Sequence, residues 1–123
     1  TEGGVVGGLL EVATASEVGM RVQRDAIPVR PEVRAVCDHV GIDPYVSISE
    51  GTLIATVVPD RAEAFVAALA DEDIEAAIVG EVTEASAGRV LVASGRERPL
   101  MHPGLDPFWG AFGVWAAEAA AGA

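Results

Sequence analysis

A threonine, a glutamate and two glycines, Thr1-Glu2-Gly3-Gly4, stand directly before a run of apolar residues at helical spacing. Such a turn can hold an anion. Glycines carry no Cβ, so successive backbone N–H groups can converge on phosphate oxygens while the following helix points the positive end of its dipole at them. Thr1 would add a hydroxyl. A second pair, Gly7-Gly8, falls inside the helical run, where each glycine costs about 1 kcal/mol relative to alanine. That pair is read as close approach of a neighbouring helix or sheet, and the same packing reading is open for Gly3-Gly4.

The remaining reactive side chains form no constellation. Cys37, in PEVRAVCDHVG, shares the helical period of Val33, Val36 and Val40 and reads as a buried structural thiol. One cysteine allows neither an internal disulfide nor a CxxC metal site. His39 follows Asp38 late in a helix, where an imidazole favours the negative end of the dipole. His102 lies in the loop LMHPGLDPFW and reads as a surface residue; two histidines this far apart, without cysteine partners, make no zinc signature. Ser47 and Ser49 have no general base nearby in sequence and no G-x-S-x-G elbow. The glycines lack the GK[ST] of a P-loop. Glu72, Asp73 and Glu75 read as a solvated helix end. Phe108, Trp109, Phe112 and Trp115 offer a large apolar surface, to be covered by the core or by a partner.

The elements that must carry these residues follow from periodicity. Residues 3–16 read as a helix with Gly19 as its stop, and GMRVQ (19–23) as a short strand. A second helix runs from Pro31 to His39 or Val40, with Gly41 just past its end. After the loop IDPYVSISEG, the β-branched run TLIATVV reads as a central strand. PDRAEAFVAALADED reads as a helix with Asp60 as N-cap, Glu63 completing a capping box, and Phe65, Val66 and Leu69 inward. IEAAIVGEV (74–82) and GRVLVASG (88–95) read as a hairpin across TEASAG. An irregular Pro/Gly stretch then leads into a last helix from Pro107. The order α-β-α-β-α-β-β-α predicts an α/β (α+β) layered sandwich with a mixed sheet flanked by helices.

With 123 residues, the chain is read as a single domain, 1–123. Its 19 acidic and 8 basic residues give a net charge of −11, and every basic residue is arginine. That field repels phosphate backbones, so no nucleic acid partner is expected. Acid excess without lysine suggests adaptation to high salt, where screening relaxes self-repulsion; an ordinary acidic domain from a GC-rich genome is the alternative. Apolar runs break well short of the roughly 20 residues of a membrane span, and no basic n-region precedes one, so a cytoplasmic protein with no membrane partner is expected. The start at threonine suggests that something precedes it.

The runs TEGGVVGGLLEVATASEVGMRV, IPVRPEVRAVCDHVGIDPYVSISEGTLIATV and AAIVGEV, in that order and covering nearly all of the chain up to Ser94, resemble the carboxy-terminal domain of the AIR synthase-related (PurM-like) superfamily. The similarity is strongest to its hydrogenase-maturation branch; SEGTL and VGEV favour this over the thiamine-phosphate kinase and selenophosphate synthetase branches. The resemblance implies a two-domain, ATP-dependent enzyme. Its amino-terminal domain, absent here, would form a dimeric β-barrel holding most of the nucleotide and magnesium site, and the carboxy-terminal domain would close over the cleft. ATP would activate an amide or carbonyl oxygen by phosphorylation. Carried over by position, Thr1, Glu2, Gly3 and Gly4 become a phosphate-facing loop and Glu50-Gly51 a second turn facing the cleft. ATP and magnesium are implied for the full-length protein and none for this domain alone, which is expected to be inactive. Implied partners are the protein's own amino-terminal domain, a second copy in a homodimer, and a maturation partner protein. Members of the branch end in a cysteine that carries a carbamoyl group. This chain ends AAEAAAGA with Cys37 internal, so either it stops short of the true end or, the preferred reading, it is a paralogue without that chemistry. From a different class comes the reading of a non-catalytic, self-associating α/β module that binds a small anion or a protein partner.

Overall fold

Gly19 begins the strand around which the sheet is built, and its lack of a side chain decides how. A Cβ at Gly19 would lie against Glu84 O, 2.5 Å from Thr83 Oγ1 and 2.8 Å from Gly88 O. The connection Glu84–Gly88 therefore passes over the start of this strand, and only glycine leaves room for it. The computed structural model describes residues 2–122. In order they form α1 (Gly4–Ala15), β1 (Gly19–Gln23), α2 (Pro31–Val40), α3 (Pro59–Ala70), β2 (Gly80–Thr83), β3 (Arg89–Ala93), β4 (Arg96–Pro99) and α4 (Pro107–Ala121). Short 3₁₀ turns occupy Arg24–Ala26 and Ala85–Ala87. The result is the expected α+β class, a mixed four-stranded sheet with four helices.

The chain divides into two compact units. One comprises Val12–Pro28 and Ile54–Leu100; the other comprises the residues up to Glu11, Val29–Leu53, and those from Met101 onward. The first holds the sheet, with strand order β2-β1-β3-β4. β1 pairs antiparallel with β2 (Met20 opposite Val82) and parallel with β3 (Val22 opposite Leu91), and β3 pairs antiparallel with β4 (Val92 opposite Glu97). Alternation along β1 buries Met20 and Val22, and Leu91, Val92 and Leu100 are buried as well. Arg21, on the other face of β1, reaches past β3 to Glu97 of β4, Nη2 to Oε1 2.6 Å. Arg89 at the head of β3 donates from Nε to Val18 O and from Nη2 to Ala13 O, both at 3.1 Å. It thereby satisfies carbonyls at the end of α1, where a cation is favoured.

Five local expectations are corrected. The segments around β2 and β3 are not a hairpin, because β1 lies between them and the linker crosses its end. TLIATVV is not a central strand: residues 52–58 join no ladder, and Leu53 is 80% exposed. An apolar β-branched run fits a buried strand, but both sides of β1 are taken by β2 and β3. In IEAAIVGEV the ladder likewise begins only at Gly80, preceded by a bond from Gln23 N to Val79 O (2.7 Å). The capping box does not form: Pro59 takes the first helical position, Val58 precedes it without a side-chain cap, and no residue of α3 is buried, Phe65 included. Finally, β4 lies in what reads as irregular sequence. Ser94 and Gly95, both at positive φ, close the two-residue β3–β4 hairpin, and Asp25 Oδ2 accepts from Ser94 N at 2.8 Å.

The second unit contains the first turns of α1, together with α2 and α4. Val6, Leu9 and Ala13 lie along the buried stripe of α1. The helix is stopped by Glu17 at φ 53 rather than by Gly19, with Val18 N bonding to Ala13 O and Glu17 N to Thr14 O, the double bond of a Schellman end. α2 starts at Pro31 and ends at Gly41 in the left-handed region, as its sequence predicts.

Candidate functional site: the turn at the head of α1

Gly3 and Gly4 both sit in the left-handed region, at φ 78 and 62, a conformation that costs residues with a Cβ about 1–2 kcal/mol. The turn they make is enclosed on two sides. A Cβ at Gly4 would stand 2.7 Å from both Tyr45 O and Ser47 O. Val6 N donates to Tyr45 O at 3.1 Å, so the backbone at residues 45–47 lies directly on the first turn of α1. That backbone is shaped by Asp43, whose Oδ1 accepts from Tyr45 N (2.9 Å) and whose carbonyl accepts from Ser47 Oγ (2.7 Å). Tyr45 and Ser47 are buried, and Arg34 Nη2 donates to the Tyr45 hydroxyl at 3.3 Å, a hydrogen bond that raises the Arg34 pKa.

On the other side, Gly3 N donates to Asp106 Oδ2 at 3.0 Å. Asp106 is 3% exposed and also caps α4, its Oδ1 accepting from Phe108 N at 2.9 Å. His102 and Pro103 lie beside the same turn, His102 Nε2 and Pro103 Cγ each 3.2 Å from the place of a Gly3 Cβ. Gly104 N donates to His102 Nδ1 (3.1 Å), which assigns the ring proton of the neutral imidazole to Nε2, 3.9 Å from Glu11 Oε1.

Of the sequence-predicted site residues, Thr1 lies outside the described residues. Glu2 is exposed beside the buried Gly3 and Gly4. Glu50 and Gly51 occupy an exposed turn; a Cβ on Gly51 would meet nothing within 4 Å, and the atoms nearest to Gly3 and Gly4 come from His102, Pro103 and residues 45–47 instead. A Cβ at Gly7 would make only ordinary contacts, 3.4 Å from Glu2 O and 3.5 Å from His102 Nε2, and neither neighbour belongs to another helix or to the sheet. Sequence reasoning missed Asp106, although Asp before Pro at the start of an apolar helical run is an N-cap signature. Cys37 is buried as expected; burial, then the charges of Asp38 and Asp43, push its thiol pKa up. Val33 and Val36 of its expected apolar face are exposed. Among the described residues no three His, Cys, Asp or Glu side chains are placed to hold a metal ion, and no helix is long and apolar enough to cross a membrane.

The fold is an α+β domain of a type found in solved hydrogenase-maturation proteins. The crystal structure of Escherichia coli HypE matches with a TM-score of 0.74 and 36% identity, over 87% of this chain and 34% of that one. A structure of HypE in complex with ATP matches with a TM-score of 0.70 and 33% identity, over 83% and 33%. One of a HypE–HypF complex matches with a TM-score of 0.72 and 29% identity, over 84% and 34%. Among curated proteins, carbamoyl dehydratase HypE of Rhizobium leguminosarum bv. viciae is 43% identical over 84 residues, 67% of this chain and 24% of the relative. That of E. coli K12 is 36% identical over 109 residues, 87% of this chain and 32% of the relative. The chain thus spans a third or less of these curated relatives. The family described as AIR synthase related protein, C-terminal domain, matches residues 1–93, and the chain belongs to it.

Proposed function

We propose that this chain is the carboxy-terminal domain of a HypE-like, ATP-dependent enzyme and that the turn Thr1–Gly4 contributes to a cleft completed by an amino-terminal domain. The observation that carries the reading is the pair of left-handed glycines at the head of α1, in a domain whose family match includes that turn. Amides of a helix's first turn have no acceptor within the helix and lie at the positive end of its dipole, the kind of donor phosphate takes; here Gly3 N donates to Asp106 and Val6 N to Tyr45 O, so a phosphate would have to take over the Gly3 amide. When bound, ATP supplies an activated phosphoryl group. The part played by this chain is to bind and orient, with Gly3 and Gly4 offering backbone N–H groups and Glu50-Gly51 bordering the same cleft. For magnesium the described residues offer no carboxylate cluster, so its ligands are assigned to the amino-terminal domain. A second copy in a homodimer, a maturation partner of the HypF kind and a cytoplasmic location complete the proposal.

The test is photolabelling of the full-length protein with an ATP analogue that is reactive at its γ-phosphate. Labelled peptides from the start of α1 are the expected result; labelling confined to the upstream domain refutes the role of the turn. A second reading, a non-catalytic self-associating module, draws on α4, whose Trp109, Phe112 and Val114 are exposed. Sedimentation that stays monomeric at every concentration and salt refutes it.

A further inference from the structure

The turn at the head of α1 already holds an anion, and that anion belongs to the chain. Asp106 is buried, with Oδ2 on Gly3 N and Oδ1 on Phe108 N, so one carboxylate joins the start of α1 to the start of α4. The residues before it lie over the same turn. His102 and Pro103 stand against Gly3, and the His102 ring reaches to 3.5 Å from the place of a Gly7 Cβ. That ring is itself held, through Nδ1 by Gly104 N and with Nε2 facing Glu11. All of this segment lies beyond the family match, which ends at residue 93.

A carboxylate oxygen and a phosphate oxygen are acceptors of the same kind, and the single Gly3 N–H directed at one is withheld from the other. We propose that residues 101–106 are an autoinhibitory strap, in which the Asp106 carboxylate sits where a phosphate-bearing ligand of the turn would bind and must be displaced by it. The inference rests on the phosphate-facing role given to the turn above. The exchange breaks no covalent bond: Gly3 N–H passes from carboxylate to phosphate, and Asp106 Oδ2 passes to water. Because Oδ1 alone caps Phe108, the strap can lift without unwinding α4.

The experiment is an NMR titration of the full-length protein, labelled in glycine and aspartate, with inorganic phosphate. It follows the Gly3 and Gly4 amides and the Asp106 carboxyl carbon in wild type, Asp106→Asn and Asp106→Ser. Both variants can still cap α4 but place no charge on Gly3. Removing the competing charged acceptor is expected to tighten phosphate binding about ten- to a hundredfold, and in wild type the Asp106 signal is expected to move together with Gly3. Equal affinity in wild type and variants, or a Gly3 response without an Asp106 response, overturns the strap and leaves the phosphate turn standing. No response in any of the three proteins overturns both. Should a variant fail to fold, the joint movement of Gly3 and Asp106 in wild type decides alone.

Discussion

Gly4→Ala, measured against Gly41→Ala, separates backbone strain from crowding. Both glycines hold left-handed φ, 62 and 71, but a Cβ at Gly4 would stand 2.7 Å from two carbonyl oxygens, and one at Gly41 would meet nothing within 4 Å. Each substitution carries the left-handed penalty of about 1–2 kcal/mol. Gly4→Ala must also push the Tyr45–Ser47 backbone away from α1, and overpacking of this kind costs about 1–3 kcal/mol. The expected totals are about 2–5 kcal/mol for Gly4→Ala and about 1–2 kcal/mol for Gly41→Ala. Urea denaturation followed by circular dichroism at helical wavelengths gives both values on one scale, since neither change alters the surface exposed on unfolding. Equal losses within about 0.5 kcal/mol, the usual span of a neutral substitution, would mean that residues 45–47 do not lie on the α1 turn.

Asp106→Ala removes the α4 cap, about 1 kcal/mol, and strands the Gly3 N–H, about 1–3 kcal/mol; a loss near 2–4 kcal/mol in urea is expected, with Asp106→Asn costing less. Glu97 is held below the usual carboxylate range by its hydrogen bond and charge interaction with Arg21. Its contribution is complete above the unfolded value of about 4.3 and fades as pH falls through the lower folded value, so Glu97→Gln should flatten the acid limb of a melting-temperature profile and leave its neutral limb parallel to wild type. With its pKa raised mainly by burial, Cys37 should react with a thiol reagent at pH 8 far more slowly in the native protein than in urea; equal rates would contradict its burial.

The sequence made the ends of elements more legible than their partners. Pro31 and Gly41 mark α2 because proline at a first turn and glycine after a last one act through local dihedral angles. GMRVQ is readable for a similar reason, its alternation being a property of one strand. Pairing is not local. Nothing within TEASAG says that it crosses the end of β1 instead of closing a hairpin, and only the crowding at Gly19 reveals it. TLIATVV has the composition of a buried strand, yet whether an edge is free to receive it depends on where the other strands fall. Ser94-Gly95 is a two-residue turn signal, but the RERP that follows has neither the apolar alternation nor the composition of a strand. At the site, the glycine pair was visible from residue type alone, whereas Asp106 meets Gly3 across more than a hundred residues and left only a helix-cap signature.

The bare run from Leu53 to Val58 gives the acidity a colloidal meaning. An unpaired, β-branched ribbon is a template on which another copy could zip up. With a net charge of −11, two such chains repel before their ribbons can meet. Acidification or dense counterions would strip away that guard, and the first visible result would be turbidity from intact, folded molecules sticking edge to edge.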